Sequence, residues 1–385
     1  MPRALSMCAL LVAAVLVGCG GGDDQPGPLI TPPPGVRQAE SLGPLEGKLR
    51  LLALPGYAPA AATAALGCDV EVDTARSADE IVRRMSAGGY DGALGYGDAT
   101  VRLIAAGVIA PVNTELVPSY ADVFDGLKEQ PFNSIGGQMF ALPVGRAANL
   151  LLWRRNAVPG TLFSLGAVLD PPQVAALGER ISVPDDPASI AEAALWVARQ
   201  RPDLEIEDPY ELDRRQFNAV LAILRLQEPY VTRYWSDPAT VIGAFRSGEA
   251  TVAIARQAAV AALEARPGPG GPVAATRPRE GVIGESPAWM VAADAAHPNC
   301  MYAWMNKALD PAVNADIAVA TEIAPATELA CESVPEHCEA FRADDDGYYG
   351  RVLFRTTPSA DCGDERGRVC TDWEDWVRAW NELRK

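Results

Sequence analysis

Residues 48–57 read KLRLLALPGY and residues 91–95 read DGALG, two short apolar runs that lead into glycine-containing segments. Each run has the length and flanks of a buried strand. Residues 70–72 predict a strand between them, and residues 77–80 (SADE) have the pattern of a capping box that opens a helix. A further helix is predicted at 100–106. This alternation predicts the α/β fold class, with a parallel sheet and helices on both faces.

The alternation continues along the chain, with a Pro-rich interruption at 159–172. Further strands are predicted at 138–143, 148–153, 181–184, 250–255 and 288–292. Further helices are predicted at 188–199, 213–226, 238–245, 257–264 and 301–309. The chain has 385 residues, of which 49% are hydrophobic, so it can build a sizeable core in two or three domains.

Composition excludes several functions. The chain has 33 Lys and Arg against 50 Asp and Glu, and a net charge of −17 makes it a poor nucleic-acid binder. Its only histidines, His297 and His337, leave little room for a histidine triad or a multi-histidine metal site. It has no nucleophile elbow, P-loop or dinucleotide fingerprint. The acidic run 344–347 lacks the spacing of a calcium loop and is expected to be a solvated loop. We therefore expect no enzyme, cofactor or metal site.

The N-terminus predicts export. A basic start precedes an apolar run at 9–17, which is too short to span a membrane as a mature helix. Leu16-Val17-Gly18-Cys19 matches the lipobox of bacterial lipoproteins, so residues 1–18 are predicted to be a signal peptide and Cys19 the lipidated residue. An ordinary secretory peptide with a chance cysteine is the alternative. The Gly/Pro-rich residues 19–45 are expected to tether a body outside the cytoplasm, on the periplasmic side or the cell surface.

Six further cysteines fit an oxidising compartment. Six cysteines allow 15 pairings. Local spacing favours Cys331–Cys338 and Cys362–Cys370, which leaves Cys68–Cys300 as a long-range bond. A zinc site built from the last four is the alternative, although their spacing does not resemble a zinc knuckle.

Several short motifs occur in an order that resembles a known family. They are LALPGY (52–57), YDGAL (90–94), ALPVG (141–145), ISVPDDP (181–187), YWSD (234–237), FRSGE (245–249), PREG (278–281) and WEDW (373–376). Between residues 47 and 327 they resemble the extracellular solute-binding proteins of ATP-binding-cassette (ABC) importers, in the spermidine/putrescine-binding branch.

This resemblance implies a two-lobed, type II periplasmic-binding-protein-like fold. Each lobe would be a mainly parallel sheet flanked by helices, with the ligand cleft between the lobes. The first lobe would comprise 46–145 and 282–385, including a Cys-rich region and a closing helix, and the second lobe 146–281. Cys68 and Cys300 would then both lie in the first lobe, which makes their pairing feasible.

The resemblance also implies which residues contact a ligand. In the family, carboxylates bind the ammonium groups of polyamines and aromatic rings surround the methylene chain. The corresponding positions here are Tyr57, Tyr96, Asp98, Arg146, Asp185, Asp186, Arg256 and Glu285.

The pocket departs from the family pattern. Gly56 stands where polyamine binders often have an acid and Leu54 where they have tryptophan, while Arg146 and Arg256 occupy aromatic positions. Two arginines suggest bidentate binding of a carboxylate or phosphate. A zwitterionic ligand such as an amino acid or peptide-like compound is therefore expected ahead of an ordinary polyamine.

Each of these residues could have a structural role instead of binding a ligand. Asp185 and Asp186 can cap the following helix. The arginines can pair with acids such as Glu285, and Tyr57 can pack at its turn. The C-terminal tryptophans, at spacings of three and four residues, are expected to form a core stripe rather than a ligand cage. They are Trp373, Trp376 and Trp380.

The function expected from these observations is a monomeric, lipid-anchored solute-binding protein. It would capture a polyamine, amino acid or carboxylate between its lobes and deliver it to an ABC permease without chemistry. The alternative is a lipoprotein that keeps the scaffold but acts as a sensor or interaction protein.

Overall fold

The protein is described here by a computed structural model that covers residues 31–178, 180–362 and 369–385. The predicted signal peptide at 1–18 and the predicted lipidation site at Cys19 lie outside the described residues. Within the described part of the chain, every helix is too short or too polar to cross a membrane.

The strands form two large sheets and one hairpin. They are β1 (Lys48–Ala53), β2 (Asp69–Thr74), β3 (Gly92–Gly95), β4 (Ile109–Ala110), β5 (Ser134–Ile135), β6 (Gln138–Met139), β7 (Leu142–Pro143), β8 (Gly145–Arg154), β9 (Ile181–Pro184), β10 (Val231–Trp235), β11 (Val252–Arg256), β12 (Val273–Thr276), β13 (Val282–Glu285), β14 (Ala288–Ala292), β15 (Ala324–Pro325) and β16 (Val352–Phe354).

The helices flank these sheets. They are α1 (Ala60–Ala64), α2 (Ala78–Ser86), α3 (Gly97–Ala105), α4 (Gly166–Leu169), α5 (Pro171–Ala176), α6 (Ser189–Gln200), α7 (Arg214–Gln227), α8 (Pro238–Ser247), α9 (Gln257–Ala265), α10 (Pro298–Ala308), α11 (Pro311–Thr321), α12 (Glu328–Cys331), α13 (Pro335–Phe341), α14 (Asp346–Tyr349) and α15 (Trp373–Leu383). Short 3₁₀ turns lie at Thr114–Leu116, Pro118–Asp122, Asp125–Leu127, Pro202–Leu204, Glu228–Tyr230 and Gly268–Gly270.

The first sheet is the centre of what we call the first lobe. Its order is β2-β1-β3-β14-β4, with β7 also paired to β14. β1 pairs in parallel with β2 and β3, as the βαβαβ pattern predicts. α2 begins after Ser77, whose hydroxyl accepts from the Glu80 N–H at 3.2 Å. The returning strand β14 is antiparallel to β3 and β4, so the sheet is mixed.

The second sheet is the centre of the second lobe, with the order β10-β9-β11-β8-β13-β16. β9 pairs in parallel with β10 and β11. The ten-residue β8 is antiparallel to β11, β12, β13 and β15. The α/β class and the mainly parallel sheets are confirmed, with one strand in each large sheet, β14 in the first and β8 in the second, running against its neighbours.

Three apolar clusters hold these layers together. The first lies under the first sheet, where the buried rings of Trp289 and Trp304 meet edge to face at 5.5 Å. The second joins α6 and α7 to one face of the second sheet. The third covers the other face and includes Phe341, Tyr349 and Phe354 from the C-terminal region.

The C-terminal region departs from the expected lobe boundaries. The family resemblance predicts that all of 282–385 lies in the first lobe. In the structure, β13 and β16 belong to the second sheet, and Trp376 of α15 packs between Tyr210 and Phe217 of the second lobe. Only part of this region, including β14, α10 and α11, packs in the first core. The apolar stripe of α15 therefore completes the second lobe.

The expected tether also ends earlier than predicted. Residues 31–45 contain no regular helix or strand, but Val36 and Ala39 pack against the first core. The Gly43 N–H donates to Asn299 Oδ1 at 2.7 Å. The last part of the expected tether thus lies along the first lobe.

Disulfides join Cys68 to Cys300, Cys331 to Cys338, and Cys362 to Cys370. This is the set that the sequence spacing favours. The first bond links the start of β2 to α10 inside the first lobe, and the third closes a short loop before α15.

Candidate functional site

The candidate site is a cleft between the lobes, at the carboxyl ends of several strands. This edge is where open α/β sheets place their ligands. The polar residues brought there are Tyr96 and Asp98 after β3, Asp185 and Asp186 after β9, Arg256 at the end of β11, and Glu285 at the end of β13. Residues far apart in sequence therefore meet at one place.

Two cavities of about 570 and 380 Å³ occupy this cleft. The side chains of Tyr96, Arg256 and Glu285 line both, so they form a shared wall. Arg76 and Ser77, just before α2, also border both cavities. The cleft is thus one opening divided by polar side chains.

The larger of the two cleft cavities is lined by Arg355, which is not among the binding residues predicted from the sequence. Arg355 donates through Nη2 to Asp98 Oδ2 at 2.9 Å. Its Nη1 lies 2.6 Å from Asp186 Oδ2, and the second oxygen of Asp186 accepts from Nη2 at 3.2 Å. Glu285 Oε1 lies 3.9 Å from Nη1. One guanidinium therefore touches acids of both lobes.

Burial by itself lowers the pKa of Arg355, because a cation loses hydration. The attraction of Asp186, Asp98 and Glu285 outweighs this, so the pKa is raised well above its usual value. Arg355 is therefore a permanent cation in the cleft.

Arg256 forms a second ion pair, with its Nη2 2.6 Å from Glu285 Oε1. Burial lowers the pKa of Arg256, but Glu285 outweighs this and the net shift is upward. The sequence analysis offered two roles for Arg256, an anion clamp or a partner of an acid such as Glu285. The structure shows the pairing.

Tyr57 borders the smaller cavity, and Tyr96 borders both. Burial, followed by Glu285, raises the pKa of Tyr96 to about 12. Gly56 precedes Tyr57 at φ +90°, and a Cβ there would lie 2.8 Å from Thr321 Cγ2. Any side chain at position 56, an acid included, would therefore be strained in this backbone conformation.

Asp185 and Asp186 take different partners. Asp185 accepts from Trp380 Nε1 at 3.0 Å and from Arg384 Nε at 3.1 Å, both in the C-terminal segment. Asp186 accepts from the Ala188 N–H at 2.8 Å while it binds Arg355. Asp186 therefore supports the start of α6 and faces the cleft at the same time.

Arg146 lies outside the two cleft cavities, contrary to the sequence prediction. Its side chain is fully buried, and Nη2 contacts Ala343 O and Asp346 Oδ1, each at 2.7 Å. The guanidinium also lies 4.0 Å from the ring centre of Tyr349. The acidic run 344–347, expected to be solvated, thus supplies a structural partner through Asp346. Arg146 holds the C-terminal region on β8.

The tryptophan stripe packs in a core, as predicted, namely that of the second lobe, and also borders the cleft. Trp376 is fully buried, as expected. Trp373 and Trp380 line the larger cavity together with Trp235. The helical spacing correctly predicted one apolar face, but a face can border a cavity as well as a core.

Two cleft arginines were missed for lack of a local signal. Arg355 follows β16 directly, and its carboxylate partners are 169 and 257 residues away in sequence. Arg76 lies in a polar turn before a capped helix. Neither position is marked by a motif, so only the tertiary structure reveals them.

A third cavity, of about 780 Å³, lies outside the cleft. It is bordered by Phe132, Tyr210, Phe354 and Thr356, among others, while Arg355 faces the cleft instead. Its volume exceeds that of either cleft cavity, but it lacks their convergence of strand ends. We therefore place the candidate site in the cleft.

Known structures share this architecture. The chain resembles a putative spermidine/putrescine ABC transporter from Listeria monocytogenes at 14% identity and a TM-score of 0.68, covering 88% of this chain and 99% of that one. It resembles the TpPotD lipoprotein of Treponema pallidum at 15% identity and a TM-score of 0.65, covering 87% of this chain and 98% of that one. It also resembles MotA from A. tumefaciens B6, solved with glucopine, at 15% identity and a TM-score of 0.63, covering 88% of this chain and 100% of that one.

At these identities the structural matches show the fold, and a sequence comparison identifies the family. The family described as "Bacterial extracellular solute-binding protein" matches residues 58–336. The match includes most of both lobes, with the cleft residues from Tyr96 to Glu285. The chain therefore belongs to the bacterial extracellular solute-binding proteins.

Proposed function

We propose that this protein is the substrate-binding component of an ABC importer and that it holds a small anionic or zwitterionic ligand between its lobes. The observation that carries the proposal is the divided cleft, with about 570 and 380 Å³ bordered by charged strand ends of both lobes. Such proteins bind by closure of two lobes around a ligand and need no chemistry of their own. A monomer suffices for this role.

The charges of the larger cleft cavity favour this ligand class over polyamines. Every carboxylate that lines the larger cavity in the described structure is paired with an arginine. The pairs are Asp79–Arg102, Asp98–Arg355, Asp185–Arg384, Asp186–Arg355 and Glu285–Arg256. A polyamine would have to separate one of these pairs before it could be neutralised.

Arg76 supplies a positive charge that could bind an anionic group of the ligand. It borders both cavities, it is exposed, and its guanidinium has no ion pair within the described residues. A ligand carboxylate or phosphate can accept two parallel hydrogen bonds from such a group. Trp235, Trp373 and Trp380 offer apolar surface on the same cavity. An amino acid or peptide-like carboxylate matches both features.

The test is a thermal-shift screen of the chain from residue 20 onward against polyamines, amino acids, dicarboxylates and phosphate compounds. A ligand at about 100 times its dissociation constant adds roughly 2.7 kcal/mol to the free energy of unfolding. We expect shifts with carboxylated compounds. Shifts confined to polyamines would contradict the proposed ligand class.

Arg76→Ala should weaken binding of the compound found in that screen by about 10- to 100-fold, since a hydrogen bond to a charged group contributes roughly 1.5–3 kcal/mol. The control is Arg146→Lys, which alters a buried arginine outside the cleft cavities. It should lower the unfolding midpoint and leave the dissociation constant within about twofold. Equal affinity of the Arg76→Ala and parent proteins, measured by calorimetry, would remove Arg76 from the site.

The lipid anchor at Cys19 is part of this proposal. The Leu16–Cys19 lipobox supports it, and one structural relative is described as a lipoprotein. The anchor would hold the protein on the outer side of a bacterial membrane, next to its permease. Metabolic labelling with a fatty acid should mark the parent protein and not Cys19→Ala.

A sensor or interaction protein is the second candidate, favoured by the contacts that join the lobes without a ligand. Arg355 binds Asp98 in the first lobe and Asp186 in the second. If no compound class shifts the unfolding midpoint, this candidate gains support. Genes for a permease and an ATPase beside this one favour the importer.

A further inference from the structure

The cleft contains a cation site that the chain fills itself. The guanidinium of Arg355 is 2.9 Å from Asp98, 2.6 Å from Asp186 and 3.9 Å from Glu285. Its side chain is 13% exposed, and those of Asp98 and Glu285 are 2% and 13% exposed. Three acids around one point repel each other unless a cation lies between them.

The backbone fixes the position of this cation. We call residues 352–357 the Arg355 segment. Its strand β16 pairs in parallel with β13, and the Arg355 N–H donates to Gly284 O at 3.0 Å. Thr357 Oγ1 donates to Asp98 O at 2.7 Å on the other side. Arg355 is therefore held between the two lobes.

The first lobe is shaped to receive this segment. A Cβ added to Gly97 would lie 2.1 Å from Arg355 O and 2.6 Å from Phe132 Cβ. Glycine at position 97 lets the segment approach the start of α3 closely. The backbone at Gly97 and the backbone of the Arg355 segment therefore pack closely, in addition to the contacts of the Arg355 side chain.

We propose that Arg355 is an internal cation that occupies the acidic site of the cleft and thereby excludes organic cations from it. This inference rests on the proposed function, because it assigns the ligand specificity of the same cleft. An external ammonium or guanidinium group would need the oxygens that Arg355 already holds. Arg355 would therefore decide that this cleft accepts anionic or zwitterionic ligands.

Removing the arginine side chain should convert the cleft into a cation site. In Arg355→Ala, Asp98, Asp186 and Glu285 surround a space once filled by a guanidinium. Methylguanidinium has the size and charge of the missing group, and putrescine presents two ammonium groups. Both should bind the variant and leave the parent protein unaffected.

The experiment is titration calorimetry of the full mature chain with methylguanidinium and with putrescine, at low ionic strength. We expect Arg355→Ala to bind methylguanidinium at least about tenfold more tightly than the parent protein does, because a charge-assisted bidentate contact is restored. No gain in either titration, or equal binding of putrescine by the parent protein, would overturn the inference.

Two further variants make the result decisive. Arg384→Ala removes the arginine that pairs with Asp185, next to Asp186 in sequence, at a more exposed position with one carboxylate. It should gain no cation binding, and an equal gain there would mean nonspecific attraction. Asp98→Asn with Arg355→Ala carries one charge fewer, so it should fold even if Arg355→Ala does not, and it should bind methylguanidinium more weakly than the single variant.

These outcomes are separate from the test of the proposed function. Cation binding by the variant is measured without any natural ligand. A screen that finds no ligand, or an unchanged affinity in Arg76→Ala, therefore leaves this inference standing, and a failure of Arg355→Ala to bind cations leaves the proposed function standing. Polyamine binding by the parent protein would contradict both.

Discussion

Glu192 is a carboxylic acid buried inside the second lobe, in the first turn of α6. Its Oε1 accepts from the Ile283 N–H at 3.3 Å. Burial, only partly offset by that hydrogen bond, raises the pKa of Glu192 to about 7, and the nearby Asp186 contributes in the same direction. In the unfolded chain the group titrates near 4.5. Glu192 therefore links the stability of this lobe to pH.

The sign of this link follows from the two pKa values. Because the folded state holds the proton more tightly, stability from this group is fully present below pH 4.5 and is lost as pH rises through about 7. Glu192→Gln keeps an acceptor for Ile283 and cannot ionise. We expect it to be more stable than the parent protein by roughly 3 kcal/mol at pH 8, and equally stable at pH 4.

Urea unfolding of both proteins at pH 4 and pH 8 measures this difference. Glu264→Gln, at an exposed position of α9, is the matched control and should change stability by less than about 0.5 kcal/mol. A parent protein that is as stable as Glu192→Gln at pH 8 would show that Glu192 is ionised without penalty.

At the residue scale, the cleft acids and one arginine were assigned from the family resemblance, which relates them to the contact positions that follow its strands. Asp98, Asp186, Arg256 and Glu285 lie at strand ends, and the structure brings them together. Their partner Arg355 was not predictable, since no motif shows which distant arginine will meet an acid. The sequence therefore indicated a charged cleft but not that the carboxylates of its larger cavity are already paired with arginines.

At the scale of elements, α15 shows how a helix can be predicted while its place in the fold is not. The tryptophan spacing and the acidic first turn predict an amphipathic helix, and the structure has one at Trp373–Leu383. Nothing in that spacing tells which lobe its apolar face will cover. Trp376 packs on Tyr210 at 5.8 Å and donates from Nε1 to Thr371 Oγ1 at 3.0 Å.

Because Trp376 is fully buried in the second core, Trp376→Ala should reduce the free energy of unfolding by about 3–5 kcal/mol. The half-buried Trp373 on the same helix is the matched control, and Trp373→Ala should reduce it by less than half as much. Chemical denaturation of the three proteins gives both values. Similar losses for the two variants would contradict the core assignment of Trp376.

At the scale of the whole molecule, contacts between residues far apart in sequence hold the two lobes together. Residues 33–45 lie on the first lobe, and Cys68 is bonded to Cys300 in α10. Later residues cross back, since β16 joins the second sheet and Thr357 reaches Asp98 in the first lobe. The cysteine spacing and the family resemblance predicted the Cys68–Cys300 bond, two lobes and a cleft, but the return of β16 and Thr357 depends on tertiary packing that local patterns do not encode.

The Cys68–Cys300 bond should contribute more stability than the Cys331–Cys338 bond. The two bonds span 232 and 7 residues of chain. A crosslink that closes a longer loop removes more conformational entropy from the unfolded chain. From the logarithm of the two loop lengths, the difference is roughly 3 kcal/mol.

Replacing both cysteines of each bond by alanine tests this difference in stability. The two double variants make the same chemical change, so they differ only in which disulfide is lost. Guanidinium unfolding of the two variants and the parent protein should show the larger loss for Cys68→Ala with Cys300→Ala. A larger loss for the Cys331 and Cys338 variant would mean that the short loop is held mainly by folded-state packing. That result would place the main stabilising crosslink beside Arg146, where the C-terminal region meets β8, rather than inside the first lobe.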